Sequence, residues 1–154
     1  MMTHSGKLLW IAAAFLSATC AVHAATPPAD PCTLLSAAEV SRTMSGSYSP
    51  PEENVAPRPY ANTVQGKDCH YRAMGGELLF RIYFDPSPDE ATKLFAQLRM
   101  FYSPSQPVTG VGDEAYFDSQ HGLHARKGNV RYFLQGSGSE ERLKDLGQMV
   151  AKKL

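Results

Sequence analysis

Reactive side chains come together at a few places in this 154-residue sequence. Asp113-Glu114 follows a glycine and could serve as a carboxylate pair, one acid and one base. Acidic residues also sit after glycine turns simply to make local hydrogen bonds. His121-x-x-His124, with Asp118 or Asp113 nearby, has the spacing of a metal-ligating pair on a helix. Here it falls at a turn and on a strand, where residues three apart point to opposite faces. The two read as exposed turn histidines, and no metal is assigned. Cys69-His70 suggests a thiol–imidazole dyad, but neighbours on a strand also face opposite ways. Gly136-Ser137-Gly138-Ser139 looks like the start of a helix rather than a nucleophile elbow. No glycine loop of the phosphate-cradling kind occurs. The sequence therefore assigns no catalytic residue and no cofactor. A small exported hydrolase using Asp113, Glu114 or a histidine stands as the alternative function.

Recognition chemistry is better represented. Arg81 and Tyr83 share one phase of a strand, Arg131 and Phe133 share a phase of another, and Arg126 is near. Arginine and tyrosine are enriched at the energetic centres of interfaces. The expected binding surface is Arg81, Tyr83, Arg126 and Arg131. The competing explanation is that the arginine stems cover apolar sheet, or that a helix buries this face.

These side chains need a scaffold, and the first two dozen residues bear on where it works. Lys7 precedes the apolar run Leu8 to Ala18, and Val22-His23-Ala24 places small or tolerated residues before Ala25. That is the layout of a cleavable secretion signal over residues 1–24. The apolar run is short for a membrane span. Cys20 raises lipid attachment, but Thr19 and Ser17 stand where a lipoprotein signal carries a small residue and a leucine. The localisation expected is export, to the periplasm, with no membrane span after cleavage. Of three cysteines, Cys32 and Cys69 remain after the leader leaves. An even pair in an exported chain reads as a disulfide, and closing that loop contributes roughly 3–4 kcal/mol.

With 43% hydrophobic and 19% charged residues, the chain is globular in composition, and its length suggests one domain, residues 25–154. Its formal net charge is zero, which argues against nucleic acid or an anionic membrane as partner. Ser36-Ala37-Ala38-Glu39 is a capping box that starts a helix over about Ala37–Ser45, with Gly46 as its left-handed terminator. A flexible start over 25–31 and a long proline-rich loop over 47–67 flank that helix, with a strand conceivable at Tyr60–Gln65. A short strand is expected over Asp68–Met74 and a clearly alternating one over Glu77–Asp85, joined at Gly75-Gly76. Leu78, Phe80, Ile82 and Phe84 form the core phase. Ser87-Pro88-Asp89-Glu90 caps a helix to about Phe101, whose stripe Ala91, Leu94, Phe95, Leu98, Tyr102 reads as core. Strands over Glu114–Asp118, Leu123–Lys127 and Val130–Gln135 follow, then a helix over Glu140–Leu154. The class is α+β: an antiparallel sheet covered by helices, in the order helix, strands, helix, strands, helix.

Cys32-Thr33-Leu34-Leu35-Ser36-Ala37-Ala38-Glu39-Val40, Cys69-His70-Tyr71 and Gly110-Val111-Gly112-Asp113-Glu114-Ala115-Tyr116 together resemble a family of exported bacterial domains of unknown function, many of them lipoproteins. The resemblance spans nearly the whole mature chain. It implies the Cys32–Cys69 bridge and a compact α+β sandwich, and it carries no catalytic residues to transfer. The function expected is that of a non-enzymatic cell-envelope domain that binds an envelope protein or a small ligand, for example an inhibitor or immunity-type protein.

Overall fold

The protein is described here by a computed structural model covering residues 28, 30–55, 65–102 and 105–154. The leader with Cys20, the start at Ala25 and the strand considered at Tyr60–Gln65, apart from Gln65 itself, lie outside them.

A 3-10 turn, Pro31–Leu34, comes first, and the Asp30 carboxylate accepts from Cys32 N at 2.9 Å. Pro31 and Cys32 are buried, so the last residue of the expected flexible start is anchored. Helix α1 (Ala37–Met44) begins with the expected capping box: Glu39 N donates to Ser36 Oγ at 3.2 Å and Ser36 N to Glu39 Oε2 at 2.9 Å. Its left-handed terminator is Ser45 (φ 55°), one residue before the expected glycine; Gly46 N donates back to Ser41 O at 3.1 Å.

Strands β1 (Glu52–Val55), β2 (Gln65–Ala73) and β3 (Gly76–Phe84) follow, then helix α2 (Pro88–Phe101). Next come β4 (Gln106–Pro107), β5 (Glu114–Phe117), β6 (Leu123–Lys127), β7 (Val130–Gly136) and helix α3 (Glu140–Lys153). The loop expected over 47–67 is therefore strand at both Glu52–Val55 and Gln65–Lys67, and β2 is nine residues long rather than short. Backbone pairing with β2 overrides the weak strand character of Glu52-Glu53-Asn54-Val55. The strands form one antiparallel sheet in the order β1-β2-β3-β7-β6-β5-β4. The α+β class and the element order are those read from the sequence.

The sheet has two differently used faces. Leu78, Phe80, Ile82 and Phe84 of β3, Leu123 and Ala125 of β6, and Val130, Tyr132 and Leu134 of β7 point one way into the main core. Val40 and Met44 of α1 and Leu143, Leu146 and Val150 of α3 close it. Each large apolar side chain removed from water there contributes about 1.5–3 kcal/mol. The bridge between Cys32 and Cys69, with Cα atoms 5.7 Å apart, ties the 3-10 turn to β2 at the edge of this core. The Tyr71 hydroxyl donates to Leu35 O at 2.5 Å beside it. Helix α2 departs from expectation. Its Ala91, Leu94 and Phe95 are buried, yet none belongs to the main core. It packs on the opposite face, the one that carries the arginines. Helical periodicity shows that a stripe is buried but not which side of a sheet buries it.

Candidate functional site

The strand registers assemble the arginine face. Asp68 of β2 pairs with Arg81 of β3, Arg81 with Phe133 of β7, Phe133 with His124 of β6, and His124 with Tyr116 of β5. The adjacent rung on the same face runs Tyr83, Arg131, Arg126, Glu114. All four residues singled out for binding, Arg81, Tyr83, Arg126 and Arg131, thus occupy neighbouring positions on one side of the sheet.

Helix α2 crosses this side and leaves a cleft of about 140 Å³ between itself and the sheet. The strands contribute Arg81, Tyr83, His124, Arg131 and Phe133 to its lining. Phe95, Leu98 and Tyr102 line it from α2. The walls are mostly rings. His124 stacks on Tyr116 at 4.8 Å between centroids with an interplanar angle of 11°. It also meets Phe133 at 4.5 Å and Tyr102 at 4.8 Å. Such ring pairs add about 0.5–1.5 kcal/mol each beyond the area they bury. Tyr102 remains 40% exposed at the mouth.

Both cleft arginines hold an aspartate. Arg81 Nε and Nη2 donate to the two Asp68 oxygens at 2.7 and 2.6 Å. Arg131 Nε and Nη2 donate to the Asp85 oxygens at 2.5 and 2.9 Å. The two pairs differ in burial. The Arg131 and Asp85 side chains are 2% and 0% exposed, whereas Arg81 keeps 28%. Arg131 is therefore a buried structural cation and not a surface residue, because α2 and the rim rings cover it. Its guanidinium carbon lies 5.1 Å from the Tyr83 ring centroid, within cation–π range. The Asp68 hydrogen bonds raise the Arg81 pKa above its ordinary value. Burial raises that of Tyr83. Burial also lowers the His124 pKa below that of free histidine, against the opposing pull of Asp118, whose Oδ2 is 2.9 Å from Nε2. Burial thus favours the uncharged ring of His124.

The remaining candidates fall elsewhere. Arg126 does not line the cleft: it is 8% exposed, with Nη1 on Asp113 at 3.1 Å and Nη2 on Glu114 at 3.7 Å. The Asp113 carboxylate also accepts from Gly128 N at 2.8 Å, and Asp113 N donates to Arg126 O at 2.8 Å. Gly112, at φ 59°, runs so close to β6 that a Cβ would meet the Arg126 carbonyl oxygen at 2.4 Å. The Gly-Val-Gly-Asp-Glu stretch is accordingly a clasp on the β6–β7 hairpin, and its carboxylates are engaged there rather than gathered with a histidine. His121 is exposed, at φ 60°, and pairs with Glu140 at 2.7 Å. His124 is buried, which overturns its reading as a turn histidine, and the two do not share ligands. Among the described residues, Asp30, Cys32 and Glu53 converge as a potential metal-binding group, but the Cys32 sulfur is committed to the disulfide. That commitment also removes Cys69 as a nucleophile.

Sequence reasoning missed His124, Phe95, Leu98 and Tyr102 as members of the cleft. The signal was present in part: Phe133 and His124 both stand on the arginine phase of their strands, but nothing in the α2 stripe announced that it would face them.

No family model matches the chain, and no curated protein matches it. Among solved structures it is similar to the extracellular domain of PknH from Mycobacterium tuberculosis, with 9% sequence identity and a TM-score of 0.58. The match covers 85% of this chain and 97% of that one. At that identity the likeness is one of fold. Among the described residues no helix is long and apolar enough to cross a membrane.

Proposed function

We propose that the mature domain is an exported, non-enzymatic recognition module of the cell envelope, and that the cleft under α2 is its contact site. The observation that carries this reading is the convergence of Arg81 and Tyr83 with Tyr102 and Phe133 in one concave, ring-lined site with an exposed mouth, which the buried Arg131 lines without being offered to a partner. Aromatic and arginine side chains in a partly open depression are what interfaces use as anchoring points. The leader, the disulfide and the fold likeness to a domain that is extracellular in PknH support placement outside the cytoplasm. The periplasm is the compartment proposed, as a soluble domain rather than one anchored through Cys20. An inhibitor or immunity-type protein is one concrete version. A hydrolase would need a nucleophile or a second carboxylate beside His124, and the cleft lining is arginine, aromatic and aliphatic. The resemblance to exported bacterial domains points the same way.

Photo-crosslinking from inside the producing cell tests the proposal. A benzophenone side chain at position 102, at the cleft mouth, should give one discrete adduct. The same group at exposed Lys152 on α3 should not. Equal labelling from both positions would refute the site.

A further inference from the structure

We infer that the cleft receives a single uncharged aromatic side chain presented by a protein partner. This rests on the recognition reading above and names the chemistry of what is recognised. Size comes first. A void of about 150 Å³ lined by apolar side chains accommodates one benzene ring, whereas whole-ligand pockets start at roughly 300 Å³. The cleft, at about 140 Å³, matches one ring in volume.

Charge comes second. The forks of both arginines are already taken, Arg81 by Asp68 and Arg131 by Asp85. A carboxylate entering the cleft would have to displace one of these aspartates or lie against it. A neutral ring meets no such opposition, since Tyr102, His124 and Phe133 offer ring faces and edges. The Asp68 pair uses Nε and Nη2 of Arg81, so Nη1 remains to donate to a neutral oxygen such as a phenol or a peptide carbonyl.

The surroundings come third and select a protein over a free small molecule. Met100 and Phe101 are 80% and 81% exposed and continue the apolar surface from Tyr102 along the last turn of α2. A second depression of about 650 Å³ is lined by Phe95, Ala96, Arg99 and Met100 of α2 together with Ser105 and Glu114. Phe95 is common to both concavities. A free ring would need only the cleft. A ring anchored on a polypeptide would use the cleft and the exposed helix end together, an anchor surrounded by apolar contact.

The test is titration of the 15N-labelled mature domain with p-cresol, N-acetyltyrosinamide, benzoate and cyclohexanol, followed by amide shifts. Saturable shifts at Phe133, His124 and Tyr102 are expected from p-cresol, with N-acetyltyrosinamide binding at least as tightly and benzoate at least fivefold more weakly. Leu98→Trp, which fills the cleft, should weaken p-cresol at least tenfold. Tyr102→Ala, a change at an exposed position, should do the same in part if the tryptophan variant fails to fold. Tighter binding of benzoate than of p-cresol would overturn the inference in favour of an anion and leave the recognition reading standing. N-acetyltyrosinamide tenfold weaker than p-cresol would mean a free phenol rather than a protein side chain. Cyclohexanol equal to p-cresol, or no probe shifting these amides, would reject the aromatic occupant. The adduct from position 102 decides the recognition reading separately.

Discussion

Replacing Arg131 by methionine removes one half of an ion pair whose two side chains are 2% and 0% exposed, and it leaves the Asp85 carboxylate buried without its cation. The loss is that of an uncompensated buried charge, about 3–5 kcal/mol. For a domain of this size each kcal/mol lowers the melting temperature by about 4 °C, so the variant should melt about 12–20 °C below the parent. Asp85→Leu should cost a similar amount, because it strands the guanidinium. The double variant Asp85→Leu with Arg131→Met removes both charges and should fall within about 2 kcal/mol of the parent. Urea unfolding of the four proteins closes a cycle whose coupling energy should reach at least about 2 kcal/mol. Arg81→Met provides the contrast: with 28% of its side chain exposed, that pair should be worth about 1–2 kcal/mol. An Arg131→Met variant within about 1 kcal/mol of the parent, or a double variant no better than the worse single, would refute the buried-pair account.

Alkylation of the unreduced mature protein should leave both Cys32 and Cys69 unlabelled. Replacing both by serine should lower the unfolding free energy by about 3–4 kcal/mol in urea titrations. Glu39 is held at a pKa of about 2 chiefly by the Lys153 ammonium, with Nζ to Oε1 at 2.7 Å. A carboxyl depressed in the folded state stabilises above its unfolded pKa, and that contribution fades as pH falls from about 5 to about 2. Comparing Glu39→Gln with the parent at pH 7 and pH 3 should therefore show a smaller acid loss in the variant. The difference should stay under about 1 kcal/mol, since the pair is partly exposed. By histidine ring NMR, His124 should titrate below the ordinary imidazole value because burial disfavours its cation. The folded state then binds fewer protons than the unfolded chain, so this residue's contribution to stability falls as pH drops through the unfolded pKa near 6.5. A His124 midpoint above 6.5 would contradict the cause given.

The elements with strong local signals were legible from residues alone. Ser36 and Ser87 announced two helix starts, and alternation along β3 assigned Leu78, Phe80, Ile82 and Phe84 to the core and Arg81 and Tyr83 to the other face. What failed depended on contacts distant in sequence. β1 has no alternation and exists through pairing with β2. The α2 stripe was read as core, with no side of the sheet attached, and the side it takes is set by its contacts with β6 and β7. Without that side the cleft stays hidden and Arg131 reads as a surface residue. Arg126 was placed on the correct face, yet its partners Asp113 and Glu114 arrive from the turn before β5 and from its first residue, and no spacing rule links them.

The two ends of the sheet say something about how such a domain stays separate from its own copies. β4 is two residues long, and one of them is Pro107, which has no N–H to offer an incoming strand. At the other end β1 carries Glu52 and Glu53, held by Arg72 at 3.1 Å and Lys67 at 2.5 Å. A neighbouring chain laying a strand along either border would meet a missing donor on one side and successive carboxylates on the other. Among the described residues, both borders of the seven-stranded ladder are thus poor templates for cross-β growth. Contact between copies through the backbone ladder is thereby disfavoured at both borders, and the ring-lined face is the surface left for recognition.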